Sequence, residues 1–531
     1  MDQLALFFTL MLAAIVVVPL ADRLGLPSPV LMTLLGVALA LLPFVPNVRI
    51  APELILPLVL PPLLYASVQR TSWRQFAVNK KAIFLLAVAL VLVTTAAVGT
   101  IAAIVVPGVS LAAAVALGAL VAPPDPVAAT AVAGRLGLPR RMVSTLEGEG
   151  LFNDVTAIVV YNVAVAAAVT GSFSWPVALG ELLLSAVVAV VVGLVLGWVT
   201  SKLMGVVGDP TLQIGLSLLV PFASYAIADE AHGSGVLAVL TTALFLAEHT
   251  RDADDVTGRL VGATFWEVVD TLVTGVAFGL IGLELHNVFG AGSGRWGTMI
   301  GHAALVVGAV VFVRLAYLMP AAAVTRRLHK RRDVDEDIPM SWRETAVMWW
   351  SGMRGVASVA LALAIPHTTA SGKPFPGRDE ILFIAFSVVL ATLVLQGITL
   401  PWVVKRLGVS SDIQMEHDME MLLALRAMAA AKQRLRELEA TEEFSDEVSE
   451  LLHRRAFDVG ARICPDIVGD EKRERHTARV RRIKTVERVQ RDMFSAARHE
   501  VLAARSEPGY DPEIVDRVLR QLDVRSLRVS R

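Results

Sequence analysis

The sequence predicts an all-α polytopic membrane protein of about thirteen transmembrane helices, two of them broken, followed by a cytosolic helical tail. Three observations carry that prediction. The 531-residue chain is 55% hydrophobic and 18% charged, and apolar runs of the ~20 residues needed to cross a bilayer recur from the N-terminus to about Gly408. The charges are segregated, few in the apolar part and many beyond residue 408, so the net charge of -1 says little. Basic residues also alternate in abundance from one loop to the next.

The runs, bounded by polar residues, glycine or proline, fall at residues 3–21, 27–44, 53–68, 81–106, 110–134, 141–169, 176–204, 210–229, 234–248, 260–285, 298–324, 343–366 and 380–406. The first lacks a basic leading region and flows into Asp22 and Arg23, so it reads as a span and not as a cleavable signal. Loops after odd-numbered spans carry Arg23, then Arg70, Arg74, Lys80 and Lys81, then Arg135, Arg140 and Arg141, then Lys202, then Arg251 and Arg259, then Arg326, Arg327, Lys330, Arg331 and Arg332. The opposite loops carry only Arg49, Arg295, Lys373 and Arg378. The positive-inside rule places the first set in the cytoplasm, with the N-terminus outside and the tail inside a plasma membrane.

Residues 1–408 therefore form the membrane domain and residues 409–531 a cytoplasmic helical domain. Strings such as "ALRAMAAAKQRLRELEATEE" space Ala, Leu, Arg and Glu helically with few breakers. His417, His453, His476 and His499 lack ligand spacing there, and Cys464 alone permits no internal disulfide.

The fifth span holds "APPDPVAATA" at residues 122–131. Pro123, Pro124 and Pro126 have no N–H, so the carbonyls of Ala119, Leu120 and Ala122 lose their helical donors and the span must unwind. In hydrocarbon such a break survives only against protein or a water-filled cavity. Asp125 lies inside it. Freed carbonyls and a carboxylate make an oxygen-rich site suited to a monovalent cation.

The sixth span holds "LEGEGLFNDVTAIVVYN" at residues 146–162. On a helix Glu147, Gly150 and Asp154 share one face, while Glu149 and Asn153 share the next. Gly148 and Gly150 leave room for another backbone. Acids in a span are costly and usually pair or carry function. The twelfth span supplies a countercharge in "MWWSGMRGVASVALALAIP" at residues 348–366, where Arg354 stands between Gly352 and Gly355 and needs a carboxylate partner. The two interrupted spans lie seven apart, which places them equivalently in two halves of opposite orientation. Inverted repeats with paired broken helices are a transporter architecture.

These stretches, with "LPPLLYASVQ" at 60–69, "GSGVLAVL" at 233–240, "FWEVVDTLVTGVAFGLIGLEL" at 265–285 and "TLVLQGITLPWVVKRLG" at 392–408, resemble the monovalent cation:proton antiporters of the sodium/proton exchanger superfamily, in its electroneutral branch. The resemblance covers nearly the whole membrane part, and the Asn153-Asp154 pair is its most specific mark. It implies that Asp154 binds cation or proton, that Asp125 and the Pro124 carbonyl help coordinate, and that Asn153 marks an electroneutral member. It implies an intramembrane ion pair between Glu149 and Arg354. It also implies a homodimer whose spans 1–3 and 8–10 form a scaffold and spans 4–6 and 11–13 a moving core, with no cofactor besides the transported ions. Three departures stand out: Pro124 replaces a common threonine, Gly150 replaces an oxygen ligand, and Tyr65-Ala66-Ser67 lacks an acid, leaving Ser67 as a weak oxygen. Fewer side-chain ligands extend the candidates from Na+ to Li+ and K+.

The remaining intramembrane charges carry weaker readings. Glu147 is close enough to the cytoplasmic end to be simply hydrated, and Arg314 either pairs with a core acid or snorkels. Glu267 and Asp270 sit one turn apart in the tenth span, where hydrogen bonding within the scaffold and a role in the cation path weigh about equally. His302 is a lone histidine near an outer helix end, and Tyr225, Trp266 and Trp349 suit packing. Because proton and cation neutralise the same carboxylate, competition at Asp154 would couple them, with Asp125 and Asp154 titrating as a pair. Asn153 in place of a second acid predicts one cation per proton, serving pH and cation homeostasis. Two alternatives remain at this stage. An intramembrane aspartyl protease also needs two facing aspartates, and a tail-gated channel would pass steady current.

Overall fold

The computed structural model describes residues 2–42, 52–70, 83–172, 175–249, 256–290, 296–332, 341–410, 413–464, 466, 488–490, 492–503 and short pieces between 514 and 522. The chain divides into two compact units, Met1–Ser411 and Asp412–Arg531. Among the described residues the structure is helical, apart from a single bridge between Thr368 and Pro374. Of the loop residues that set the expected sidedness, Arg49, Arg74, Lys80, Lys81, Arg251 and Arg295 lie outside the described residues, as does His476.

The first unit runs α1 (Asp2–Leu24), α2 (Ser28–Ala40), α3 (Pro52–Arg70) and, after a π-turn at Leu85–Leu90, α4 (Val91–Val105). The fifth predicted span is split into α5 (Leu111–Val121) and α6 (Val127–Leu136). Then follow α7 (Arg140–Thr170), α8 (Trp175–Val206), α9 (Pro210–Glu230), α10 (Gly235–His249), α11 (Val256–Gly290) and α12 (Trp296–Arg332). The twelfth predicted span is likewise split, into α13 (Trp342–Trp350) and α14 (Val356–Leu363). The last stretch is α15 (Arg378–Ala391), a second π-turn at Thr392–Gln396, and α16 (Gly397–Leu407).

Among the described residues eight helices are long and apolar enough to cross a bilayer, while Ser28–Ala40, Leu111–Val121 and Gly235–His249 are apolar but shorter. That length criterion does not by itself yield the expected thirteen. Packing sorts the helices into neighbours: α11 lies against α1, α2 and α3, and α10 against α3, α8 and α9, while α5 lies against α4 and α7, and α12 against α4 and α15. The α2–α11 contact is backbone to backbone, since a Cβ on Gly282 would press into Thr33 O and one on Gly36 into Gly279 O.

In the second unit α17 (Ile413–Glu439) and α18 (Asp446–Ile463) pack on each other. Gly460 admits the Ala424 backbone, Lys432 lies 5.5 Å from the Phe457 ring centroid, and Ser449 Oγ donates to Glu439 at 2.6 Å. Cys464 is a buried free thiol.

Candidate functional site

Both predicted breaks are present, at residues 122–126 and 351–355, and the two unwound segments meet. The Asp125 N–H donates to Met353 O at 2.6 Å. In a continuous helix that N–H would have served the Val121 carbonyl, and the Ala122 carbonyl would have faced the missing N–H of Pro126. Arg354 replaces both donors, with Nε on Val121 O at 2.9 Å and Nη2 on Ala122 O at 3.2 Å, and its Nη1 also bonds Gly352 O. Asn153 Nδ2 closes the segment by donating to Pro124 O at 2.8 Å.

The Asp125 carboxylate occupies the centre of this meeting. Its Oδ1 accepts the Val127 N–H at 2.8 Å, and the Val356 N–H faces the carboxylate. Those are the first residues of α6 and α14, so one carboxylate sits on two helix N-termini, where free N–H groups and the positive ends of both dipoles favour an anion. Gly355 makes the approach possible. A Cβ there would overlap Asp125 Oδ2, as one on Gly150 would overlap the ring of Pro126. Asp154 is partly accessible, and its charge and that of Asp125 lie within interaction range. Asp270, one of the two tenth-span acids singled out in the sequence, interacts electrostatically with Asp125 as well.

The expected ion pair needs correcting. Glu149 is paired with Arg314 and not with Arg354: Arg314 Nη1 donates to Glu149 Oε1 at 2.5 Å and Nη2 to Oε2 at 3.0 Å, both side chains being at most 2% exposed. The same guanidinium donates to Met348 O at 3.2 Å. The physical reason is supply and demand of donors. Unwinding leaves carbonyls whose nearest planar donor fork is Arg354, while Arg314 on the adjoining α12 presents the bidentate geometry that a carboxylate prefers. Arg314 therefore does not snorkel. Arg354 still feels the charges of both Glu149 and Arg314.

Ser67 and Glu147 are partly buried on helices next to the crossing, α3 and α7. Near Ser67 in sequence, the Tyr65 ring lies tilted with its centroid 4.5 Å from that of Trp266, whose Nε1 donates to Ser217 Oγ at 3.1 Å, so Trp266 packs as expected. Glu267 is exposed. His302 is not alone: its Nδ1 lies 2.5 Å from Glu380 Oε1. A further missed pair, Arg141 with Glu344 at 2.7 Å, ties α7 to α13. Glu344 also closes a capping box with Ser341, the pattern of "SWRE" at 341–344, and both reciprocal bonds of that box are made. Among the described residues no group of three or more His, Cys, Asp or Glu is arranged to hold a metal ion.

Residues 9–406 match the family model described as "Sodium/hydrogen exchanger, transmembrane". The chain belongs to the sodium/hydrogen exchanger family. An uncharacterised Na+/H+ exchanger of Mycobacterium tuberculosis is 30% identical over 431 residues, covering 80% of this chain and 79% of its own. The Na+/H+ antiporter ApNhaP of Aphanothece halophytica is 31% identical, covering 76% of this chain and 74% of its own. In fold, the chain is similar to the sodium proton antiporter MjNhaP1 of Methanocaldococcus jannaschii, with a TM-score of 0.58 at 21% identity, over 77% of this chain and 99% of that one. The exchanger is thus a multi-pass membrane transporter and not an enzyme, and it moves cations against protons without a cofactor.

Proposed function

We propose that this exchanger trades one monovalent cation, Na+, Li+ or K+, for one proton at Asp125 and Asp154, in the plasma membrane, as a homodimer with the tail in the cytoplasm. The observation that carries the reading is the placement of the Asp125 carboxylate at the meeting of two unwound segments, within charge range of Asp154. Two carboxylates there cannot both stay anionic without a compensating positive charge, and either a proton or a cation supplies it. Competition for the same oxygens is the coupling. Asp154 takes the exchanged ion, Asp125 and the Pro124 carbonyl add oxygens, and Asn153 holds that carbonyl in place. Because Asn153 stands where a second acid would add charge, one positive charge enters for each that leaves.

Arg354 keeps the broken backbone satisfied while it moves, and the Arg314–Glu149 pair braces the helices beside it. Spans 4–6 and 11–13, which carry all these residues, are the moving core, and spans 1–3 and 8–10 the scaffold. Only the neutralised core crosses the hydrophobic barrier readily, which makes exchange obligatory.

The test is proton flux in proteoliposomes with Na+, Li+ and K+ compared at several pH values. Asp154→Asn should abolish exchange while leaving a folded protein, and wild-type flux in that variant would overturn the assignment. An imposed membrane potential should leave the final ion gradients unchanged. A voltage-dependent endpoint would instead mean an electrogenic ratio.

A further inference from the structure

The meeting point is gripped from a third side, by a part of the last helical stretch that took no role in the site above. Between α15 and α16 the helix widens into the π-turn at Thr392–Gln396. In an α-helix, residues five apart point about 140° away from each other. An i→i+5 turn instead brings them onto one face, and such turns recur at functional sites. Here Thr392 and Gly397 both meet the unwound segment of the twelfth span. The Arg354 N–H donates to Thr392 Oγ1 at 3.1 Å, and a Cβ on Gly397 would lie 3.4 Å from Met353 Sδ.

The atoms involved make the contact specific. The Arg354 N–H and the Met353 carbonyl belong to one peptide group, which is planar and rigid. Thr392 holds its N–H side, and the Asp125 N–H holds its C=O side at 2.6 Å. The Thr392 hydroxyl is itself aimed, because it donates to Val388 O at 2.8 Å and is 1% exposed. Any tilt of that peptide plane is therefore passed directly to the backbone of Asp125.

We propose that Thr392 is a positioning residue for ion exchange: through the Met353–Arg354 peptide it fixes where Asp125 presents its carboxylate, and the π-turn delivers the hydroxyl to that peptide. The inference rests on the assignment of Asp125 and Asp154 as the exchange site. It separates two properties. Losing the hydroxyl should misplace a ligand, raising the cation concentration needed for half-maximal exchange, without removing the charges that drive the cycle.

The experiment uses the full chain in proteoliposomes, with proton flux measured against cation concentration at several pH values for Thr392→Val, Thr392→Ser and Asp154→Asn. Thr392→Val, nearly isosteric but without the hydroxyl, should raise the half-maximal concentration roughly tenfold, in keeping with one buried hydrogen bond, and shift the pH profile while the maximal rate changes little. Thr392→Ser should recover most of the loss. Wild-type concentration dependence in Thr392→Val would overturn the proposal, and so would equal losses in the valine and serine variants, which would mean packing alone. Should Thr392→Val not assemble, Thr392→Ala takes its place, and failure of both beside a folded serine variant would make the hydroxyl a folding element and overturn the proposal too. Wild-type flux in Asp154→Asn would sink the exchange-site assignment itself, a result distinguishable from any outcome at Thr392.

Discussion

The two broken spans unwind by opposite means. The break at residues 122–126 is made by prolines, which end the helix and leave acceptors: Ala122 faces the missing N–H of Pro126, the Asp125 N–H is diverted from Val121, and the carbonyls of Val121, Ala122 and Pro124 are served from outside the helix by Arg354 and Asn153. The break at residues 351–355 is made around glycines, which keep every N–H, so it brings donors: the Val356 N–H facing Asp125, the Arg354 N–H to Thr392 and the Arg354 side chain. An acceptor-rich break therefore faces a donor-rich one. The pairing shows why the two breaks cannot be exchanged for one another, and under the proposed function it is the carboxylate oxygens and the Pro124 carbonyl that serve the cation.

The sharpest way to break this comparison is to close the glycine side. Gly355→Ala places a methyl where Asp125 Oδ2 now lies, so the carboxylate must leave both helix N-termini. Exchange should fall to background in a protein that still purifies as a folded species, and near-normal flux would show that the close approach is dispensable. The next effect concerns the charges that brace the crossing. Arg314→Ala and Glu149→Ala should each destabilise the detergent-solubilised protein by about 3–5 kcal/mol, because each strands a buried charge. The double variant should regain much of that loss in a double-mutant cycle, whereas a cycle between Glu149 and Arg354 should show the smaller coupling, since Arg354 serves carbonyls. If the larger coupling falls to Arg354, the division of labour between the two arginines is wrong.

The smallest expected effect lies at the entrance to the donor-rich half. Ser341→Ala removes the cap of α13 and should lower stability by about 1 kcal/mol, measured as a thermal shift, with the half-maximal cation concentration unmoved. A change in cation dependence would mean that the N-terminal end of α13, and not only the break after it, sets the site.

Much of the site was readable in one dimension because its causes are local. Three prolines around Asp125 must break a helix whatever surrounds them, and glycines beside Arg354 weaken one. Asp154 was singled out by the cost of an acid in an apolar span, and Asn153 by resemblance.

What the sequence determined by itself, then, is where the chain is apolar, where it cannot stay helical, and which residues carry charge inside it, because proline chemistry, hydropathy and helical spacing act within a few residues. Which charge meets which was decided by the tertiary structure alone. Arg314 and Arg354 are alike in sequence terms, both buried bases that need partners. Only packing puts the first against Glu149 and the second against carbonyls that unwinding had freed on another span. The same holds for Thr392, an ordinary residue of an apolar helix until a widened turn aims its hydroxyl at the peptide that holds Asp125.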